Sequence, residues 1–449
     1  MGEAATAPDL GYWSFTDVGP WVVDADNLPW LEGIDEVRRR TKLEVPRLVR
    51  RRILPPFSRM VWVGSNLLKA FGVWAVRERK KQTEISHAGL SRRLRLSFER
   101  LGPTYIKLGQ ILSSGEGIFP EELVSEFRKC RDAVPAEPFS VVKRVIEEDL
   151  GRPLGDVFEW IDEAPLAAAS IAQVHAATLR TGEEVVVKVQ RPRVALLVRK
   201  DLAVMSWIAK FMVGRIPVAA LANPPALVEL FAETIVEELD FRLEAESMLD
   251  VAHVLADTGN RAIVVPRPHP ELVSPRVLVM ERLHGFSYDD VDGMQEAGID
   301  TQQVLRALVV GFYEGCMLYG VFHGDLHGGN MFVLPDGRVA LFDFGITGRL
   351  DEERRLAFVS LMLGSISNDM RMQLAALRDL GAFPPETDLE SVIADLNLEQ
   401  GMKDPTKMSA DELMEELRGL MKALLGYGAR LPKVLMLYVK DMLFVDGTV

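Results

Sequence analysis

The chain reads as an α+β protein: a small sheet-rich lobe, then a larger helical lobe, with a helical extension in front. Three observations predict this. Four runs with strand composition, VFEWID (157–162), IAQVHAATL (171–179), EVVVKVQ (184–190) and RVLVMERL (276–283), all fall before residue 284. Apolar residues recur at helical spacing over 85–113, 138–150, 194–213, 225–256 and 301–321. The length of 449 residues, 48% hydrophobic and 26% charged, suffices for two or more domains with their own cores.

In chain order, residues 1–36 form an acidic arm bearing Trp13, Trp21 and Trp30. Residues 37–82 form a basic amphipathic segment, in which only Glu44 and Glu78 oppose the arginines and lysines between Arg38 and Lys81. Its apolar stretch 61–76 is broken by Lys69 and is too short to span a bilayer. Trp62 and Trp74 with flanking cations suit a helix lying on an anionic membrane surface; a helix packed on the protein itself is the alternative. A helical extension follows (83–137), then the sheet-rich N-lobe (138–283), where Arg180-Thr181-Gly182-Glu183 turns one strand into the next. The helical C-lobe covers 284–449, with Pro335-Asp336-Gly337 leading into another strand at RVALFDFG. The apolar runs 204–222 and 304–322 are interrupted by Lys210, Arg215 and Pro217, and by Arg306 and Glu314, which makes them core helices rather than membrane spans.

A net charge of −13 argues against nucleic acid as a partner. Two cysteines, Cys130 and Cys316, cannot build a disulfide framework and fit a reducing compartment. The start MGEAATAPDL has no signal-peptide pattern, so a cytoplasmic protein is expected, with peripheral contact at the inner face of the membrane as the open question. Gly2 and Thr6 also fit the N-myristoylation pattern, which specifies too few positions to weigh much.

The chemistry concentrates in two stretches, HGDLHGGNMF (323–332) and ALFDFGITG (340–348). Asp325 and Asn330 have the spacing of a kinase catalytic loop. The aspartate can accept a proton from a substrate hydroxyl, and Asn330 with Asp343 of the Asp-Phe-Gly triplet can hold magnesium. His323 and His327 lack the further ligands of a zinc set. Lys188, on a valine-rich strand, is the candidate phosphate-binding lysine. Its carboxylate partner lies within 237–246, where Glu238 and Glu244, six residues apart, do not fall on one helix face and should do different work; spacing does not say which meets Lys188. Met280 and Glu281, within the strand run RVLVMERL (276–283), are further candidate nucleotide contacts. Where a glycine-rich loop would cover the phosphates, the chain has Ala167, Ala168, Ala169 and Ser170. Alanine does not enter the positive-φ conformations open to glycine, so this loop must hold nucleotide differently, and Ala168→Gly should raise ATP affinity.

With these motifs the sequence resembles the UbiB/AarF/ADCK family of atypical kinases over roughly residues 85–350. The alanine-rich loop, Lys107, Gly109 and Gln110 of GPTYIKLGQILSS (102–114), Glu238 and Asp240 as a Glu-x-Asp motif, and Glu244 as the helix glutamate carry the resemblance beside HGDLHGGN and DFG. It implies a protein-kinase-like two-lobe fold with ATP and Mg2+ as cofactors. It also implies a Lys188–Glu244 pair, Asp325 as catalytic base, and Asn330 and Asp343 on the metal. Lys107 then sits on an added helix that meets the Glu-x-Asp motif and restricts access for protein substrates. The family's tie to isoprenoid quinone metabolism points to a lipid or quinone-precursor ligand and an anionic membrane surface as partners. Three departures stand out: Gly115 where an arginine is usual, Gly328 where a proline is usual, and no hydrophobic tail after LFVDGTV. Two alternatives remain, a small-molecule kinase of the aminoglycoside or choline kinase kind, and a nucleotide-switched scaffold or lipid-handling factor with little turnover.

Overall fold

The computed structural model describes residues 15–16, 19–24, 27–49, 56–79, 83–113, 120–130, 134–212, 224–395, 427, 429 and 432–447. Trp13, Gly2, Gly115, the Arg50-Arg51-Arg52 triplet and Lys80 and Lys81 lie outside these residues. Among the described residues, a 3-10 turn at Pro29–Leu31 is followed by the helices α1 (Ile34–Val49), α2 (Phe57–Arg77), α3 (Thr83–Leu101), α4 (Pro103–Ser113) and α5 (Glu121–Phe127). Then come α6 (Phe139–Leu150), β1 (Phe158–Ile161), β2 (Ala167–Ala168), β3 (Ala172–Leu179), β4 (Glu184–Gln190), α7 (Val194–Met212), α8 (Pro224–Glu237) and α9 (Phe241–Thr258). The strands β5 (Ile263–Val264), β6 (Pro268–Val273), β7 (Val277–Glu281) and β8 (Phe286–Ser287) precede α10 (Val291–Glu296) and α11 (Thr301–Glu314). The remainder comprises β9 (Val321–Phe322), β10 (Met331–Val333), β11 (Val339–Leu341), β12 (Gly348–Arg349), α12 (Glu352–Ile366), α13 (Met370–Asp379), α14 (Leu389–Asp395) and α15 (Lys433–Gly447).

The chain divides into two compact units. The first covers residues up to His253 together with Val264–Gly285 and Ala340–Ile346. Its antiparallel sheet has the order β1-β3-β4-β7-β6, with β2 added on β3. Alternation along β4 buries Val185, Val187 and Val189 against Val142, Val145 and Ile146 of α6, and so turns Lys188 to the opposite face. Lys188 is centred in the sheet, opposite Val174 of β3 on one side and Leu278 of β7 on the other.

A second core in the same unit joins the N-terminal helices to α7 and α8, with Phe98, Tyr105 and Phe127 meeting edge to face. The expected single helix over 85–113 is two: Gly102, at φ +101°, breaks it, and Pro103 starts the next. The helix expected over 225–256 also breaks, at Glu238-Leu239-Asp240, where Gln190 Nε2 of β4 donates to the Leu239 carbonyl (3.0 Å). Several charges of the basic segment are used internally. Arg59 makes a bidentate pair with the fully buried Asp201 (2.5 and 3.0 Å), Glu44 pairs with Arg199 (2.5 Å), Glu78 with Arg93 (2.6 Å), and Arg38 with Glu246. Trp21 of the arm donates to the Pro268 carbonyl (3.0 Å), and Arg267 returns a bond to the Trp21 carbonyl (2.8 Å).

The second unit covers Val254–Ile263, Phe286–Val339 and Thr347 onwards. It pairs β8 with β10 and β9 with β12, and its α11 ends in a π-helical turn at Gly315–Tyr319. Tyr438 of α15 stacks on Phe312 of α11 (5.6 Å) and meets Phe358 of α12 edge-on (4.5 Å), which seats the last helix in this unit's core. No helix among the described residues is long and apolar enough to cross a membrane.

Candidate functional site

In the first unit, Lys188 Nζ donates to Glu244 Oε1 (2.7 Å) and to Asp343 Oδ1 (3.0 Å). β4 supplies the lysine, and the first turn of α9 supplies the glutamate, because the break at 238–240 restarts the helix just ahead of it. Lys188 and Glu244 are buried while the Asp343 side chain is 44% exposed, so the aspartate is the member open to a ligand. Asp343 takes a left-handed backbone conformation (φ +58°), uncommon outside glycine and typical of functional turns. The next residue, Phe344, is fully buried and anchors the turn. Burial pushes the Glu244 carboxyl up to about 7 against the pull of Lys188, and Asp343 and Glu238 add to the rise. Burial opposes the charge on Lys188, but Asp343 and Glu244 outweigh it and hold the ammonium above its ordinary value.

Glu238 does separate work. It pairs with Lys107 of α4 (3.0 Å), and both side chains are largely buried. A Cβ on Gly345 would sit 3.2 Å from Asp343 Oδ1 and 3.4 Å from Glu238 Cγ, so the Lys107–Glu238 pair abuts the Asp-Phe-Gly turn. Gly109, two residues beyond Lys107, is needed for contact: a Cβ there would lie 2.7 Å from the Phe127 ring. Gln110 is half-buried, and its carbonyl accepts from Ser113 Oγ (2.7 Å). Asp240 caps the start of α9 through the Arg242 amide and pairs with the Arg242 guanidinium (2.7 Å).

The alanine-rich stretch is a short strand and turn. Ala167 pairs with Val174 and Ala168 with Gln173, the Ala169 amide donates to the Ala172 carbonyl (2.8 Å), and Ser170 is buried. None of the four has positive φ, so alanine is unstrained throughout. Arg191, buried at the end of β4, donates to the Ala169 carbonyl (3.0 Å) and the Pro135 carbonyl (2.9 Å). On β7, Met280 lies opposite Val186 and Glu281 opposite Val185. The Glu281 carboxylate accepts from the Arg267 amide (3.3 Å) and from Thr16 of the arm.

In the second unit, Asn330 Nδ2 donates to the Asp325 carbonyl (3.1 Å), closing the catalytic-loop turn. His323 Nδ1 accepts from the Asp325 amide (3.3 Å) and His327 Nδ1 from the Gly329 amide (3.1 Å), so both imidazoles brace the loop backbone. Gly328 begins a 3-10 turn, with its Cβ position 3.1 Å from Asp289 Oδ1. Two residues of α15 complete the setting: Lys440 pairs with the Asp325 carboxylate, and the fully buried Asp441 accepts from the Gly324 and Leu326 amides (2.8 and 2.9 Å). Burial pushes the Asp441 carboxyl up to about 7, while those amides and Lys440 pull the other way.

A family model described as an ABC1 atypical kinase-like domain matches residues 129–376. The chain is 38% identical over 359 residues to an uncharacterized protein of Mycobacterium tuberculosis, covering 78% of this chain and 72% of that one. The chain belongs to the ABC1/UbiB family of atypical kinases. A probable protein kinase UbiB of Aeromonas salmonicida is 31% identical over 376 residues (82% of this chain, 68% of that one). The chloroplastic protein ACTIVITY OF BC1 COMPLEX KINASE 1 of Arabidopsis thaliana is 32% identical over 359 residues (80% and 52%). The fold is accordingly α+β and kinase-like, with the family domain preceded by a helical region.

Sequence reasoning about this family's site missed Arg191, Gln190 and the pair Lys440-Asp441. The last carried a signal: two adjacent charges inside the apolar helical run VLMLYVKDMLFV ask for buried partners. Arg191 and Gln190 carried none, since the carbonyls of Ala169, Pro135 and Leu239 and the Glu137 carboxylate that they bind are distant in sequence.

Proposed function

We propose that the chain is an MgATP-dependent atypical kinase or ATPase serving isoprenoid quinone or other membrane lipid metabolism. The observation that carries the reading is Lys188 bridging the buried Glu244 and the half-exposed Asp343. Three carboxylates, Glu244, Asp343 and Glu238, face two ammonium groups, Lys188 and Lys107. That excess of negative charge fits a site completed by a divalent cation. No cluster of three or more His, Cys, Asp or Glu side chains suited to a metal occurs among the described residues. Magnesium takes one or two protein ligands and keeps phosphate oxygens and water for the rest.

In this reading Asp343 and, from its place in the motif, Asn330 would hold the metal, and Lys188 would meet phosphate oxygens. Bound MgATP would supply the transferable phosphoryl group and the charge neutralisation it needs. Glu244 keeps Lys188 charged and aimed, Asp325 accepts the proton of an attacking hydroxyl, and Arg191 fixes the alanine-rich turn through the Ala169 carbonyl. The buried Lys107–Glu238 pair against Gly345 favours a self-limited enzyme that excludes large acceptors. Exposed Phe57, Val61, Leu68 and Phe71 on α2, with Lys69 between them, support contact with an anionic membrane surface.

The test is Mg2+-dependent ATP hydrolysis with and without anionic liposomes. Hydrolysis lost in Asp343→Asn, raised in Lys107→Ala and stimulated by liposomes is expected. ATP binding with no hydrolysis by any variant would transfer the reading to a nucleotide-switched scaffold.

A further inference from the structure

The carboxylate assigned the proton-accepting role is held by a residue more than a hundred positions downstream. We propose that Lys440 is a positioning residue for Asp325, which makes the C-terminal helix α15 part of the phosphoryl-transfer apparatus. This role rests on the functional reading above.

Two consecutive residues of α15 grip three consecutive residues of the loop. Lys440 Nζ pairs with Asp325 Oδ1, and Asp441 accepts the amides on either side, Gly324 and Leu326. Both members of the ion pair are largely buried, with 26% of the lysine and 13% of the aspartate side chain exposed. Such a pair is screened less than a surface one, and its geometry is fixed by its surroundings. The surroundings here are the aromatic seat of Tyr438 on Phe312 and Phe358 and the burial of Leu437 and Val445 on the same helix.

Contacts within the loop bear on its main chain. His323 and His327 spend Nδ1 on backbone amides, and Asn330 binds the Asp325 carbonyl rather than its side chain. Asp441 and Asn330 therefore fix the main chain of the loop, and Lys440 fixes the carboxylate. Misplacement of a reacting group by about 1 Å costs on the order of a hundredfold in rate. A rigid cation at this point acts on turnover rather than on nucleotide affinity.

The experiment compares the full chain as wild type, Lys440→Met, Lys440→Arg, Asp325→Asn and the double variant Lys440→Met/Asp325→Asn. Mg2+-dependent ATP turnover, the KM for ATP and the thermal unfolding midpoint are measured for each. Lys440→Met is expected to lower kcat by about tenfold or more with KM for ATP within about twofold of wild type. Lys440→Arg should restore most of kcat, and Lys440→Met should add less than about a twofold loss in the Asp325→Asn background, because the two residues act as a unit. Unchanged or increased kcat in Lys440→Met, an undiminished loss in the double variant, or a loss that tracks a lowered unfolding midpoint and resists Lys440→Arg would each overturn the proposal. Wild-type turnover in Asp325→Asn, or none in wild type, would instead overturn the functional reading and this role with it, so the two failures appear in different proteins.

Discussion

Around Lys188 single side chains divide the work by burial. Glu244 is sealed in and serves the lysine, whereas Asp343 keeps nearly half of its side chain accessible and can serve a ligand. Glu238, six residues before Glu244 and at the helix break, pairs with Lys107 instead. The same scale explains Gly109. Its missing Cβ lets α4 approach Phe127, a ring only 1% exposed that is packed edge-on against Phe98. Gly109→Ala should therefore destabilise the chain by about 1–3 kcal/mol through overpacking, despite alanine's better helix propensity. Urea unfolding would check this, and a change below about 0.5 kcal/mol would show that Phe127 moves aside without strain.

The alanine-rich turn couples its own hydrogen bonds to a buried arginine. β2 is only two residues long, yet Ala168 is paired to Gln173 and its carbonyl accepts from Val134 (3.2 Å), while Ala169 is held by Arg191. Ala168→Gly should weaken this element by about 0.5–1 kcal/mol, and the freed backbone should approach phosphate more closely. The expected outcome is tighter ATP binding together with a slightly lower unfolding midpoint; equal or weaker binding would contradict it. Elements differ in how far the sequence exposes them. β3, β4 and α7 were readable because their patterns are local: alternating valines at 185, 187 and 189, and a long apolar period beginning at Val194. The breaks at Gly102 and at Glu238-Leu239-Asp240 were not. The first needed Gly102-Pro103 to be read as a stop and a start, and the second depends on a tertiary bond from Gln190 that no local pattern announces. Which glutamate meets Lys188 follows from that second break.

Over the whole molecule, charge and apolar surface are distributed otherwise than composition implies. Arg38 and Arg59 of the basic segment pair with Glu246 and Asp201, and its Glu44 and Glu78 pair with Arg199 and Arg93, so charges of both signs are spent on internal contacts. What it does present is the outer face of α2, where Leu68 is 75% and Phe57 80% exposed while Val63 and Ala70 are buried beneath. If α2 meets a membrane, these exposed apolar side chains would be the ones to insert. Leu68→Glu should weaken co-sedimentation with anionic vesicles while leaving the unfolding midpoint within about 1 kcal/mol of wild type. Equal sedimentation of the two proteins would remove α2 from the membrane account.

Calorimetric titration with ATP shows whether Lys188, Glu244 and Asp343 form the proposed nucleotide site dependent on a divalent cation. Wild type in Mg2+ should bind ATP saturably, and either EDTA or Asp343→Asn should weaken the affinity by about tenfold or more, corresponding to about 1.4 kcal/mol. Affinity that is the same in wild type and Asp343→Asn and indifferent to EDTA, or no saturable binding at all, would contradict the account.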